Sequence, residues 1–183
     1  MSDKGLEEYR RYLDGDESAL EALVRIYSDP LIRFAYCYVQ DATAAEDVME
    51  DTIVALIMKR KRLDSGDKLH GYLYKIARNK SIDYLRRHSK DVPLEDVCNV
   101  LTSGDVESDH FRRARNERIY VCMQSLPEQY REILHLCYFE GFSLPQIGQV
   151  LRRSMKQIYN LHARAKNAMK ELLIKEGISY EEL

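Results

Sequence analysis

SLPEQYREILHLCYFEGFSLPQIGQVLRRSMKQIYNLHARAKNAMKELL spans residues 125–173, and its punctuation decides the fold. Ser125, Ser143 and Ser154 are each followed three residues later by Glu128, Gln146 and Gln157. A serine hydroxyl can accept from the N3 amide while the Glu or Gln side chain reaches back to the cap amide, so each pair predicts a helix start. Pro127 and Pro145 fall in first turns, where a missing N–H leaves no helical bond unmade. Gly141 stands just beyond LCYFE (136–140), as a helix-ending residue should. The spacing predicts a helix to about 140, a glycine turn and a short helix over 144–151. A tight turn at Arg152–Arg153 and a long helix from 155 follow. In that last helix Ile158, Leu161, Ala165, Ala168, Met169 and Leu172 recur at helical spacing and form the expected inward stripe. Met155, Lys156, Tyr159, Asn160 and Arg164 are left outward, toward its N-terminal half.

A short helix, a tight turn and a second amphipathic helix make a helix-turn-helix, whose second helix enters the major groove of DNA by its N-terminal end. Asn pairs with adenine edges and Lys or Arg with guanine edges, while Arg152 and Arg153 in the turn suit phosphates. The same residues could form a structural hairpin with a basic solvated face. Residues 141–170 carry six basic side chains and no acid, which favours DNA.

Upstream the pattern is helical as well. SALEALVRIYSDPLIRFAYCYV (18–39) places apolar residues at 20, 23, 24, 27, 31, 34, 35 and 38, with an interruption expected at Pro30. Asp41 and Thr43 are candidate caps for TAAEDVMEDTIVALIMK (43–59), whose stripe is Ala45, Val48, Met49, Ile53, Leu56 and Ile57. KRKRLDSGDK (59–68) reads as a basic loop with a turn signal. LHGYLYKIARNKSIDYLRRH (69–88) makes a further helix with Leu69, Tyr72, Leu73, Ile76 and Ala77 inward. The period never drops to two for long, so no strands are expected. Residues 89–111 hold Pro, Gly, Ser and acids but no sustained stripe, and about twenty residues cannot bury a core. The expected fold is all-α: two small helical domains, 1–90 and 112–183, joined by an acidic linker over 91–111.

A net charge of −2 conceals strong segregation. Residues 1–58 carry 13 acidic and 5 basic side chains, and residues 59–90 carry 3 acidic and 11 basic ones. Residues 91–111 have 6 acids and no Lys or Arg. Blocks of one sign repel themselves and so usually face a partner. Two basic blocks flanking an acidic linker predict two nucleic-acid contacts and a basic protein contact.

Other classes fall away. No apolar run approaches the roughly 18 residues of a membrane span, and MSDKGLEEYRRYL (1–13) has no signal-peptide core, so a cytoplasmic chain without membrane insertion is expected. The cysteines at 37, 98, 122 and 137 form no CxxC pair and have no histidine at zinc-ligand spacing, and read as reduced core or near-core thiols. No nucleophile–base–orienter set, glycine-rich phosphate loop or metal cluster is visible, so neither an enzyme nor a cofactor is expected.

With these motifs in place, LPEQYREILHLCYFEGFSLPQIGQVLRRSMKQIYNLHARAKNAMKELL (126–173) resembles the C-terminal domain of sigma-70-family sigma factors, in particular the extracytoplasmic-function (ECF) group. It departs from that pattern at Gln146, where the family has Glu, and at Arg152, where the family's turn has Gly. AAEDVMEDTIVAL (44–56) resembles the family's helix that docks on the clamp coiled coil of the polymerase β′ subunit. LHGYLYKIARNKSIDYLRR (69–87) resembles its −10 reading and melting helix, including Ala77-Arg78-Asn79 and Asp83 to Arg87. The family often has Trp at the position of Tyr72, and this chain contains none.

The resemblance spans roughly residues 15–172 and implies roles residue by residue. Asp47, Glu50 and Asp51 would dock on the polymerase; as like charges, Glu46/Glu50 and Asp47/Asp51 at i,i+4 cost a few tenths of a kcal/mol until a basic partner covers them. Lys61 and Arg62 lie in the loop that would hold a flipped-out −10 base, which lowers the cost of melting. Arg78, Lys80, Arg86 and Arg87 can neutralise phosphates, and the Asn79 amide can read a base edge. Tyr72 and Tyr74 are candidates to stack on unpaired bases, although Tyr72 also lies on the apolar stripe. Asp83 reads as an intrahelical partner of Arg86 or Arg87. Arg152, Arg153, Met155, Lys156, Tyr159, Asn160 and Arg164 would face the −35 element. The implied partners are core RNA polymerase through its β′ clamp and β flap, double-stranded and melted promoter DNA, and an anti-sigma factor. The acidic linker would thread the polymerase towards its active-site and RNA-exit channels, or serve as a plain spacer. A different class fits the helix-turn-helix alone: a repressor or activator whose N-terminal half binds a partner.

Overall fold

A computed structural model describes residues 2–88 and 119–177, so the expected linker at 91–111 lies outside the described residues. The helices are α1 (Ser2–Leu13), α2 (Ser18–Val39), α3 (Ala42–Lys59), α4 (Gly66–His88), α5 (helical over 119–124), α6 (Glu128–Leu134), α7 (Leu144–Leu151) and α8 (Met155–Lys175). A π-helical turn, His135–Phe139, continues α6. There is no strand among the described residues, as the helical period leads one to expect. The chain divides into two compact units, and each is described by itself.

In the first unit α2 is central and packs on α1, α3 and α4. Leu23, Tyr27, Leu31 and Phe34 follow one another at three- and four-residue steps and are buried. Phe34 meets Tyr74 of α4 edge-on, with ring centroids 5.0 Å apart. The expected break at Pro30 does not occur, and α2 runs unbroken through it. An interior proline costs about 3 kcal/mol. Burying Tyr27 and Leu31 on either side returns roughly 1.5–3 kcal/mol for each large apolar side chain, which outweighs that loss. Asp41 caps α3, its Oδ1 accepting from the Ala44 amide at 2.7 Å, and Thr43 takes no part in the cap. Buried on α3 are Ala44, Ala45, Val48, Thr52, Ile53 and Leu56, with Met49 and Ile57 half-covered.

The first helix, α1, lies in the stretch before residue 15 that the sequence pattern left without an element. Leu6 and Tyr9 are buried, and α1 packs on both α2 and α4. Gly5 makes that approach possible: a Cβ built there would sit 2.7 Å from Cε2 of the buried Tyr27 ring. Gly5→Ala should therefore lower unfolding stability by about 1–3 kcal/mol, the usual cost of overpacking, although alanine is the better helix former. Urea denaturation of the two chains checks this; an equal or higher midpoint for Gly5→Ala would contradict it.

In the second unit α6 packs against α8, and Met123, Ile133, Leu136, Ile158, Leu161 and Met169 are buried. Ser125 and Glu128 do not form the expected capping box. Ser125 Oγ instead donates back to the Cys122 carbonyl at 2.7 Å, and α6 starts at Glu128 with Pro127 as its cap. The corner is held by the buried Arg131, whose Nη1 donates to the carbonyls of Gln124 (3.1 Å) and Leu126 (2.7 Å). At the other end of this element the Glu140 amide bonds to the His135 carbonyl, Gly141 turns the chain at φ 68°, and α7 follows. Pro145 does fall in the first turn of α7. The described cysteines, 37, 122 and 137, are free thiols; Cys37 is buried and the other two are partly covered.

Candidate nucleic-acid interface

The N-terminal end of α8 is built by a complete capping box. Ser154 Oγ accepts from the Gln157 amide at 3.4 Å, and Gln157 Oε1 accepts from the Ser154 amide at 2.9 Å. Ser143 and Gln146 make the same return bond at α7, the Ser143 amide donating to Gln146 Oε1 at 2.8 Å. Glutamine thus supplies the cap acceptor without the charge that the family's Glu would bring. Rotation of α8 is set by Ile158, Leu161, Ala165, Met169 and Leu173, which are buried; Ala168 and Leu172, expected inward, are only half-covered. The stripe steps by four after 161, so Leu173 takes the place expected of Leu172.

That rotation leaves Met155, Lys156, Tyr159, Asn160 and Arg164 exposed together, with Tyr159 at 57 %. Arg164 Nε donates to the Asn160 carbonyl at 3.3 Å. Arg152 is exposed and Arg153 half-buried in the turn beside the helix N-terminus, whose free amides and dipole favour an anion. Arg152 does adopt the left-handed conformation, at φ 54°, so the turn keeps a glycine-like backbone without a glycine. For a side chain bearing a Cβ that conformation costs roughly 1–2 kcal/mol.

On α3, Asp47, Glu50 and Asp51 are exposed as expected, and Asp47 and Glu50 make no ion pair among the described residues. Two residues extend this face that the sequence reading did not single out: Val54 is 50 % and Met58 78 % exposed. The signal was present, since Glu46, Glu50, Val54 and Met58 form one i,i+4 row off the buried stripe. Asp51 differs from its neighbours, with Oδ2 2.9 Å from Nζ of Lys80 on α4. Both side chains are substantially exposed, so the pair contributes no more than about 1 kcal/mol.

The basic helix α4 and the loop before it show one reversal. Tyr74 is completely buried against Phe34, with the His70 ring centroid 4.8 Å away, and cannot stack on a base. Tyr72, expected inward, is the half-exposed tyrosine, and the Lys61 ammonium lies 5.1 Å from its ring centroid. Lys61, Arg62, Asn79 and Arg87 are exposed, and Arg78 and Lys80 partly so. Arg86 pairs with Asp83 at 3.2 Å, the intrahelical partnership expected. In the loop Asp64 accepts from Lys68 Nζ at 2.5 Å, and this hydrogen bond holds its carboxyl below the usual carboxylate range.

The second unit also holds a cavity of about 250 Å³ lined by Ile119, Met123, Leu134, Phe139 and Met169, with Tyr138 and Lys166. Nearby, Cys137 Sγ lies 3.8 Å from Nε2 of the half-buried His162. Burial pushes the thiol's pKa up, so it stays protonated. Burial, and secondarily Lys166, holds the His162 imidazole below its ordinary value near 6.5. An unfolded chain would take up that proton first as pH falls below about 6.5, while the folded one resists. The stability this histidine confers is therefore present above that pH and lost as pH falls through the folded value. The thermal midpoint should drop between about pH 7 and pH 5, and less steeply in His162→Gln; superimposable pH profiles would contradict the assignment.

Residues 23–91 match Sigma-70 region 2, and residues 116–169 match Sigma-70 region 4. The chain belongs to the sigma-70 family. Within it the chain groups with the ECF factors. It is 26 % identical over 154 residues to the ECF RNA polymerase sigma factor SigM of Bacillus subtilis, covering 84 % of this chain and 94 % of that one. Against the ECF RNA polymerase sigma factor SigW of the same organism identity is 24 % over 170 residues, covering 87 % and 91 %. The fold is that of CnrH, solved in complex with the cytosolic domain of CnrY (TM-score 0.65, 22 % identity, 94 % of this chain and 99 % of that one). It is also that of the sigma factor RpoE from Bartonella quintana, solved with the anti-sigma factor NepR (TM-score 0.66, 21 % identity, 84 % and 95 %). As a sigma factor the chain directs RNA polymerase to promoters and is a DNA-binding initiation factor, not an enzyme.

Proposed function

We propose that the two halves of this sigma factor divide promoter recognition between them. Residues 1–90 dock on core polymerase and open the −10 region, 91–111 form an acidic connection, and 112–183 read the −35 element as duplex. The observation that carries this division is the co-exposure of Lys156, Tyr159 and Asn160 at the capped end of α8. In the other unit Asp47 and Glu50 stand on a separate face with Val54 and Met58. An acidic face that continues into an apolar one suits a basic helical partner with an apolar seam, the β′ clamp. The apolar cavity lined by Ile119, Met123 and Met169 suits an apolar segment such as the β flap. Arg78, Asn79, Lys80 and Arg87 on α4, with Lys61 and Arg62 in the loop, supply phosphate and base contacts to the melted strand. Tyr72, partly exposed, replaces Tyr74 as the aromatic available for stacking.

The solved relative RpoE is bound by an anti-sigma factor. The same kind of partner, covering these faces, would hold this chain inactive. No helix among the described residues is long and apolar enough to cross a membrane, which supports action in the cytoplasm, where polymerase is. Permanganate mapping of unpaired thymines on a promoter recovered from genomic fragments tests the opening role. Holoenzyme should expose thymines in the −10 region, and Arg78→Ala with Lys80→Ala should suppress them. A repressor or activator working through the helix-turn-helix alone would bind without core polymerase and expose none.

A further inference from the structure

Helix α1 lies outside the stretch matched to region 2, which begins at residue 23, and nothing so far gives it a part in recognition. Its side chains nevertheless reach the loop that precedes α4. Tyr9 Oη donates to the Lys61 carbonyl at 3.0 Å. Arg10 Nη2 donates to the Asp64 carbonyl at 3.0 Å and, more weakly, to that of Leu63 at 3.4 Å. The clasp is reciprocal: Arg60 Nη2 donates to the Leu13 carbonyl at 3.0 Å, and its guanidinium stands 5.4 Å from the Tyr12 ring centroid. The Tyr9 and Arg10 bonds end on main-chain carbonyls of the loop, so they hold its path without using the Lys61 and Arg62 side chains, which stay exposed. The anchor is itself fixed, because Tyr9 is fully buried and Gly5 seats α1 against Tyr27.

We infer that α1 is a brace that presets the 60–64 loop for the unpaired −10 strand, with Tyr9 and Arg10 as positioning residues that touch no DNA. Ordering the loop opposes binding; a loop already ordered in the free protein meets that cost on folding, and strand capture gains by the difference. The inference rests on the −10 reading proposed above.

The test uses holoenzyme made from core polymerase and the full chain, with a pool of single-stranded DNA decamers randomised at every position. Wild type should select a sequence. Tyr9→Phe keeps the buried ring and removes only the hydroxyl, and Arg10→Ala removes the guanidinium. Each should weaken binding of the selected strand about fivefold and flatten the base preference, while affinity for core polymerase and for the −35 duplex stays within about twofold. Arg10→Lys keeps the charge but reaches one carbonyl, and should restore binding in part. Wild-type strand affinity and preference in Tyr9→Phe and Arg10→Ala would overturn the brace. So would full rescue by Arg10→Lys with Tyr9→Phe silent, because charge alone would then explain Arg10. A wild-type holoenzyme that selects no sequence would instead sink the −10 reading itself.

Discussion

Replacing Asp47 and Glu50 together with lysine should abolish measurable association with core RNA polymerase while leaving the chain folded. Both carboxylates are exposed on α3 without an ion-pair partner among the described residues, so nothing inside the protein depends on them. Their reversal removes two attractions to a basic partner and installs two repulsions. Like-charge juxtaposition across an interface costs several kcal/mol, so the loss should reach at least about 100-fold. Stability should hold or rise slightly, because the Glu46/Glu50 and Asp47/Asp51 repulsions along the helix become attractions. Asp51 is a poorer target than its spacing suggests. It already engages Lys80, and a lysine in its place would set two ammonium groups against each other between α3 and α4. Fluorescence anisotropy of labelled chain with core polymerase, beside a thermal melt, gives both readings; unchanged affinity for the double variant would remove this face from the docking site.

The second large effect is expected at the other end of the chain. Lys156→Ala with Asn160→Ala should weaken binding to −35 duplex by about 30-fold or more, since each good base contact discriminates by roughly 1–3 kcal/mol. On a pre-melted template lacking a −35 element the same variant should perform like wild type. Neither residue is buried, and the cap that starts α8 belongs to Ser154 and Gln157, so the helix itself should survive. Equal losses on both templates would mean that these side chains do not read the −35 element.

Much of this is legible in the residues, and the departures trace to contacts beyond the reach of local pattern. Ser154 forms the full box that its spacing predicts and Ser143 the return half of one, because their cap partners lie three residues away, within reach of backbone geometry alone. Ser125 has the same spacing to Glu128, but the buried Arg131 claims the carbonyls there from five and seven residues away, and no local pattern announces it. Tyr72 and Tyr74 exchanged places because the rotation of α4 answers to Phe34 on α2 and to packing by α1. Those contacts cross tens of residues, and the sequence pattern assigns no element to the stretch that forms α1. Pro30 misled for a related reason: the local penalty is real, and tertiary burial exceeds it. Val54 and Met58 were visible as a row but carry meaning only once their exposure is known.

Promoter-directed initiation is the central claim, and run-off transcription tests it most directly. Purified core polymerase should give no discrete transcripts from a pool of genomic fragments, and the same enzyme with this chain should give a small set with defined 5′ ends. Asp47→Lys with Glu50→Lys should erase that set. Binding of the chain to fragments without any core-dependent, promoter-specific transcript would contradict the account.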